Sequence, residues 1–118
     1  MSEQRARELT SEEGRLLSRL ISEDFPGRDA IARQVRRCLV RPLDRDGSLE
    51  FQVAPGEKAD VKSRIPVEGS FEDADGVTIH VLLHVVDGQI NELELYKDDG
   101  SPIVRAPDPA TLRLFHPG

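Results

Sequence analysis

The sequence predicts an α+β fold: two N-terminal helices packed on one face of an antiparallel, hairpin-connected sheet of five or six strands. Residues 10–38 carry helical apolar spacing, and after Cys38 the period changes to alternation. Four Asp-Gly dipeptides then recur, at 46–47, 75–76, 87–88 and 99–100. Asp-Gly is a strong hairpin signal, because glycine takes φ > 0 at little steric cost while aspartate bonds nearby backbone. Helices with single apolar stripes and a sheet with one apolar face satisfy each other by packing in two layers. The 118 residues suit one domain, taken as 10–118 after a flexible N-terminus at 1–9.

Each element follows in order. Thr10-Ser-Glu-Glu13 has the form of a capping box, and Leu16, Leu17, Leu20 and Ile21 then share one helical face. Phe25-Pro26-Gly27 breaks that helix. A second helix is expected over about 28–37, with Ile31, Val35 and Cys38 on its stripe and Arg33, Arg36 and Arg37 largely off it. The Arg36-Arg37 pair reads as a solvated helix end complementing the macrodipole rather than as an anion site. Strands are expected near 39–43, 48–53, 65–73, 77–86, 89–97 and 102–105, with residues 54–64 as a mobile loop. In the tail, Asp108 and Pro109 suit the start of a short helical turn. An extended run placing Leu112 and Leu114 inward is the alternative.

Composition excludes several classes. Sixteen Lys+Arg against 22 Asp+Glu give a formal net charge of −6, which disfavours a nucleic-acid partner. The longest apolar stretch, 77–86, is interrupted by His80 and His84, so no membrane span is expected. The first fourteen residues are charged and lack the apolar core of a secretory signal. Cys38 stands alone, which fits a reducing cytoplasm, and its place near a helix C-terminus suits a buried thiol better than a nucleophile. Residues 1–45 hold ten Lys+Arg and eight Asp+Glu, whereas 46–118 hold six and fourteen. The carboxylates are therefore expected on the sheet.

Alternation assigns the sheet faces. In 77–86 the inward set is Val77, Ile79, Val81, Leu83 and Val85, leaving Thr78, His80, Leu82, His84 and Val86 outward. In 89–97 Leu93 and Leu95 point inward, leaving Ile90, Glu92, Glu94 and Tyr96 outward. A two-residue loop at Asp87-Gly88 would pair Leu83 with Glu92 and put carboxylates in the core, so a three-residue loop, Val86-Asp87-Gly88, is expected. The turn at Ala74-Asp75-Gly76 pairs Ser70 with His80 and Glu68 with Leu82. The expected outer rows are thus Ser70, His80, Glu94 and Glu68, Leu82, Glu92, with His84 beside Ile90.

Glu68, Ser70, His80, His84, Glu92, Glu94 and Tyr96 are the candidate binding residues. A Ser70–His80–Glu94 triad fails on geometry, since a flat strand offers neither a nucleophile elbow nor oxyanion donors. Two imidazoles four residues apart on one strand lie about 13 Å apart, too far to share one ion. A metal centre would therefore need one of them with Glu68, Glu92 or Glu94. Asp44-x-Asp46-Gly47 and Asp73-x-Asp75-Gly76 lack the first and last ligands of a calcium loop and read as turns. No phosphate loop or Cys/His zinc spacing is present.

The segment His80-Val-Leu-Leu-His84-Val-Val-Asp-Gly-Gln-Ile-Asn-Glu-Leu-Glu94-Leu-Tyr-Lys-Asp-Asp-Gly-Ser-Pro-Ile103 resembles a small bacterial domain family of unknown function. In that family a strand ending in a x-D-G turn leads into N-E-L-E and then D-G-x-P-I. The resemblance extends through Phe25-Pro26-Gly27 over most of 10–105 and implies no active site. In size and acidity the chain is also similar to immunity proteins that neutralise bacterial toxins. Together these features lead to the expectation of a non-enzymatic, cofactor-free cytoplasmic binding module. Its acidic sheet face would engage a basic protein partner or a second copy of the chain. The alternative is a small metal-dependent or ligand-binding enzyme using His80, Glu92 and Glu94.

Overall fold

The computed structural model describes residues 5–116. Two helices, α1 (Ser11–Leu20) and α2 (Arg28–Arg36), precede the sheet strands β1 (Leu39–Pro42), β2 (Leu49–Gln52), β3 (Val67–Glu72), β4 (Thr78–Val86) and β5 (Gln89–Lys97). A 3-10 turn, Pro109–Thr111, then leads into β6 (Arg113–Phe115). All strand pairs are antiparallel, in the order β1-β2-β5-β4-β3-β6. The predicted fold class is the one observed.

Local chemistry explains the helix ends. Thr10 Oγ1 accepts from Glu13 N at 3.1 Å, and Glu13 Oε1 accepts from Thr10 N at 2.9 Å, completing the capping box. The Arg7 guanidinium binds the same carboxylate and holds it below the usual carboxylate range. Leu16, Leu17 and Leu20 of α1, and Ala30 and Ile31 of α2, are buried against the inward residues Val67, Phe71, Ile79, Val81, Leu83, Leu93 and Leu95. Cys38 lies in this core, where burial raises its thiol pKa.

Several expectations are corrected. The fully buried member of α2 beside Ile31 is Gln34, while Val35 is only partly buried. The sixth strand is 113–115, not 102–105. Backbone donors of Val104 and Arg105 bind the Asp73 carboxylate at 2.8 and 2.9 Å, so that stretch forms no ladder. Both tail alternatives occur in succession: Asp108 accepts from Ala110 N at the 3-10 turn, and extended chain follows, with Leu112 buried. Leu112 fits because Gly69 offers no side chain; a Cβ there would lie 2.7 Å from Leu112 Cγ. Of the N-terminal stretch 1–9, residues 1–4 lie outside the described residues. Arg7 exchanges both backbone hydrogen bonds with Val40, at 2.9 and 2.7 Å.

The β4–β5 hairpin departs from prediction in an instructive way. Its loop is the two-residue Asp87-Gly88, with φ of 51° and 75°, so Val86 pairs with Gln89 and Val85 with Ile90. Positive φ at both central residues matches the twist of the flanking strands. The register then shifts, and His84 pairs with Glu92, leaving Asn91 as an extra residue on β5. This bulge turns both Ile90 and Leu93 inward, so the carboxylates stay out of the core without a longer loop.

The Val85–Ile90 pair beside the turn points its two N–H donors away from the hairpin. Ile90 N–H donates to Gln34 Oε1 at 2.9 Å, and Val85 N–H donates to Arg64 O at 2.8 Å. Gln34 Nε2 in turn donates to Gly88 O at 2.9 Å and Glu57 O at 3.1 Å. One buried amide therefore clamps the turn, the bulge and the overlying loop. Gly88 also admits that loop closely, since a Cβ there would lie 2.6 Å from Lys58 Cβ.

Candidate functional site

Both helices pack on the inward face, so the opposite face is not covered by helix. Three rows cross it. The first joins Arg41, Glu50, Glu92 and His84; the second Glu94, Leu82, Glu68 and Phe115; the third Tyr96, His80, Ser70 and Arg113. Ser70–His80 and Glu68–Leu82 pair as the alternation predicts. The β5 partners do not: the bulge places Tyr96 opposite His80, Glu94 opposite Leu82 and Glu92 opposite His84, and Ile90 leaves this face. All seven candidate residues nevertheless share it.

The two histidines occupy different environments. His80 Nε2 lies 2.6 Å from Asp98 Oδ1, and its ring stacks on Tyr96 with centroids 4.8 Å apart. A shallow depression of about 250 Å³ lies beside it, lined by Glu68, Ser70, Arg113 and Phe115. His84, with a side chain only 14% exposed, lies between Arg64 and Glu94. Arg64 Nε donates to His84 Nδ1 at 3.1 Å, and His84 Nε2 lies 2.8 Å from Glu94 Oε1. An arginine nitrogen can only donate, so Nδ1 is the acceptor in this contact. A neutral ring then carries its proton on Nε2 and donates it to Glu94.

Carboxylates dominate the first row. Glu50 is ion-paired with Arg41, and Glu50 directly neighbours Glu92. The Glu92 carboxylate has no ion pair or hydrogen bond among the described residues. His84, Glu92 and Glu94 each offer a ligand atom, all within 4.8 Å of one another. The acids Glu92 and Glu94 thus gather on His84, while His80 stands with Asp98.

Sequence reasoning missed Arg64, Asp98 and Glu50. Arg64 belongs to a segment without period, and Asp98 sits just past the strand end. Glu50 had a usable signal: it alternates outward between Leu49 and Phe51 on a neighbouring strand. A buried ion cluster on the other side was also missed. Lys97 Nζ lies 2.9 Å from Asp73 Oδ2 and 2.7 Å from Asp75 Oδ2, and the Lys97 and Asp73 side chains are almost fully inaccessible. Backbone donation from Val104, then the Lys97 ammonium, holds Asp73 far below the usual aspartate range. Asp75, then Asp73, raises Lys97 in return. Continuing the inward sets one step, from Phe71 to Asp73 and from Leu95 to Lys97, reveals this pair.

These features define a two-layer α+β domain with an open histidine–carboxylate sheet face. A family model described as a domain of unknown function (DUF6984) matches residues 6–107, and the chain belongs to that family. No curated protein and no solved structure matches it. No helix among the described residues is long and apolar enough to cross a membrane.

Proposed function

We propose that this chain is a non-enzymatic binding module of the bacterial cytoplasm whose acidic outer sheet face holds a basic protein partner. One observation carries the reading. The face not covered by helix sets Glu50, Glu68, Glu92, Glu94 and Asp98 around partly buried Leu82 and exposed Tyr96 and Phe115. Carboxylates around an apolar centre complement a basic surface, raising encounter rate and fixing orientation, while the apolar groups supply buried area. Ser70 sits in mid-strand rather than at a sharp strand-to-helix turn, which supports binding over acyl transfer. A toxin-immunity or accessory role is the concrete version, and the lone Cys38 suits a reducing compartment.

The test starts with proteins recovered on the immobilised full chain from native extract. Each is purified and titrated against wild type and the Glu68→Ala/Glu92→Ala double variant. Support is one-to-one binding that weakens steeply with salt and falls about tenfold or more in the double variant. Binding indifferent to salt and to both substitutions overturns the proposal. So does a wild-type dimer in sedimentation that the double variant abolishes, because a second copy would then occupy the face.

A further inference from the structure

We propose that His84, Glu92 and Glu94 form a site for one divalent first-row transition-metal ion, with the Arg64 side chain as a displaceable plug. The inference stands apart from the docking reading and survives its failure.

The ligand set is assembled by backbone geometry. The extra residue at Asn91 shifts the β4–β5 register so that Glu92 lies directly across from His84, and Glu94 reaches its Nε2 from the diagonal position. One imidazole and two carboxylates suit zinc, iron, cobalt or manganese, and the outward side leaves further positions for water. Neighbouring ligand atoms on one such ion, each at a ~2.1 Å bond and subtending about 90–110°, stand about 3.0–3.4 Å apart. The observed spread of 4.8 Å therefore closes with a shift of roughly 1.4–1.8 Å to the ~3.0–3.4 Å of neighbouring ligand atoms, within reach of glutamate rotamers. Two like charges beside the neighbouring Glu50 also leave a local excess of negative charge, in which the Glu92 carboxylate is unpaired among the described residues.

Arg64 explains why the site needs a gate. Its donation to Nδ1 fixes the proton on Nε2, the nitrogen nearest the carboxylates. A metal takes Nε2 only if the ring changes tautomer, which moves the proton to Nδ1 and expels the guanidinium that donates there. A change of tautomer in itself releases no net proton. Only the exposed side chain of Arg64 has to move, because its carbonyl remains bonded to Val85 N. His80 offers no equivalent, having one carboxylate partner among the described residues, Asp98.

The full chain, treated with chelator, is titrated with Zn²⁺ by calorimetry and with Co²⁺ by visible absorption. One ion per chain is expected. His84→Gln and Glu92→Gln each weaken binding about tenfold or more, Arg64→Gln tightens it several-fold, and His80→Gln leaves it unchanged. Should a variant fail to fold by circular dichroism, the wild-type His84 ring signals in heteronuclear NMR decide the matter. On Zn²⁺ addition they must report proton transfer from Nε2 to Nδ1. Binding that survives His84→Gln, affinity in Arg64→Gln no tighter than wild type, or His84 signals indifferent to Zn²⁺ would each overturn the proposal.

Discussion

Gln34→Leu is the most informative single change to the fold. The wild-type side chain is fully buried and makes three hydrogen bonds. Their loss is not uniform. Gly88 O keeps its bond from Ala59 N at 2.7 Å, and Glu57 sits in an exposed loop where water can replace the amide. Ile90 N–H, however, points away from β4 in its pair with Val85, has Gln34 as its acceptor, and is left unsatisfied in the core. A buried orphan donor costs about 1–3 kcal/mol, and two weakened carbonyl contacts add roughly 0.5–1 kcal/mol each. Leucine returns about 1 kcal/mol of apolar burial. The net loss is about 1–4 kcal/mol, from a total stability of about 5–15 kcal/mol. Urea unfolding followed by circular dichroism should show it, with the melting temperature lower by roughly 4–16 °C at ~4 °C per kcal/mol. Amide exchange gives the local signature: Ile90 should lose protection well beyond Leu93 and Leu95. A loss under about 0.5 kcal/mol with Ile90 still protected would refute the clamp.

Other outcomes follow from the same geometry. Asp73 and Asp75 have depressed pKa values, so their stabilisation is complete above the ordinary aspartate value of 3.8 and disappears as pH falls through the folded values. Lys97→Met should therefore flatten the acid limb of a stability–pH profile below about pH 4. Gly69→Ala forces its Cβ into Leu112 and should cost about 1–3 kcal/mol; pairing it with Leu112→Ala should show strong coupling in a double-mutant cycle. Deleting Asn91 should leave a regular ladder with Ile90 and Leu93 still inward, seen as unchanged cross-strand contacts at 79–84 in NMR. With the three-residue loop expected from sequence, the same deletion would invert the strand. Thr10→Ala should cost about 1 kcal/mol through the capping box, read by thermal melting.

Helix starts, the turn positions and the faces of β4 were legible because each is set by local residue chemistry and a fixed period. The β4–β5 register was not, because pattern matching admits either a longer loop or a shorter loop with a bulge. The choice rests on remote groups: Gln34 on α2 and the Arg64 carbonyl receive the outward-pointing donors of the Val85–Ile90 pair beside the turn. The same logic hid the site. His84, Glu92 and Glu94 were each found on the outer face, but which histidine meets the acids depends on a single residue of offset. β6 escaped for a different reason. Residues 102–105 carry strand-like composition, but the Asp46 carboxylate takes the backbone donor of Ile103 and the buried Asp73 carboxylate those of Val104 and Arg105.

The sheet's two borders have unequal fates in a crowded solution. Arg7 zips onto Val40 and blunts the β1 border, so a stray peptide finds fewer open amides there. The far border is β6, three residues long, with Phe115 59% exposed. Partial detachment of that short ribbon would bare the β3 rim, making the C-terminal end the place where fibrillar stacking of molecules would begin.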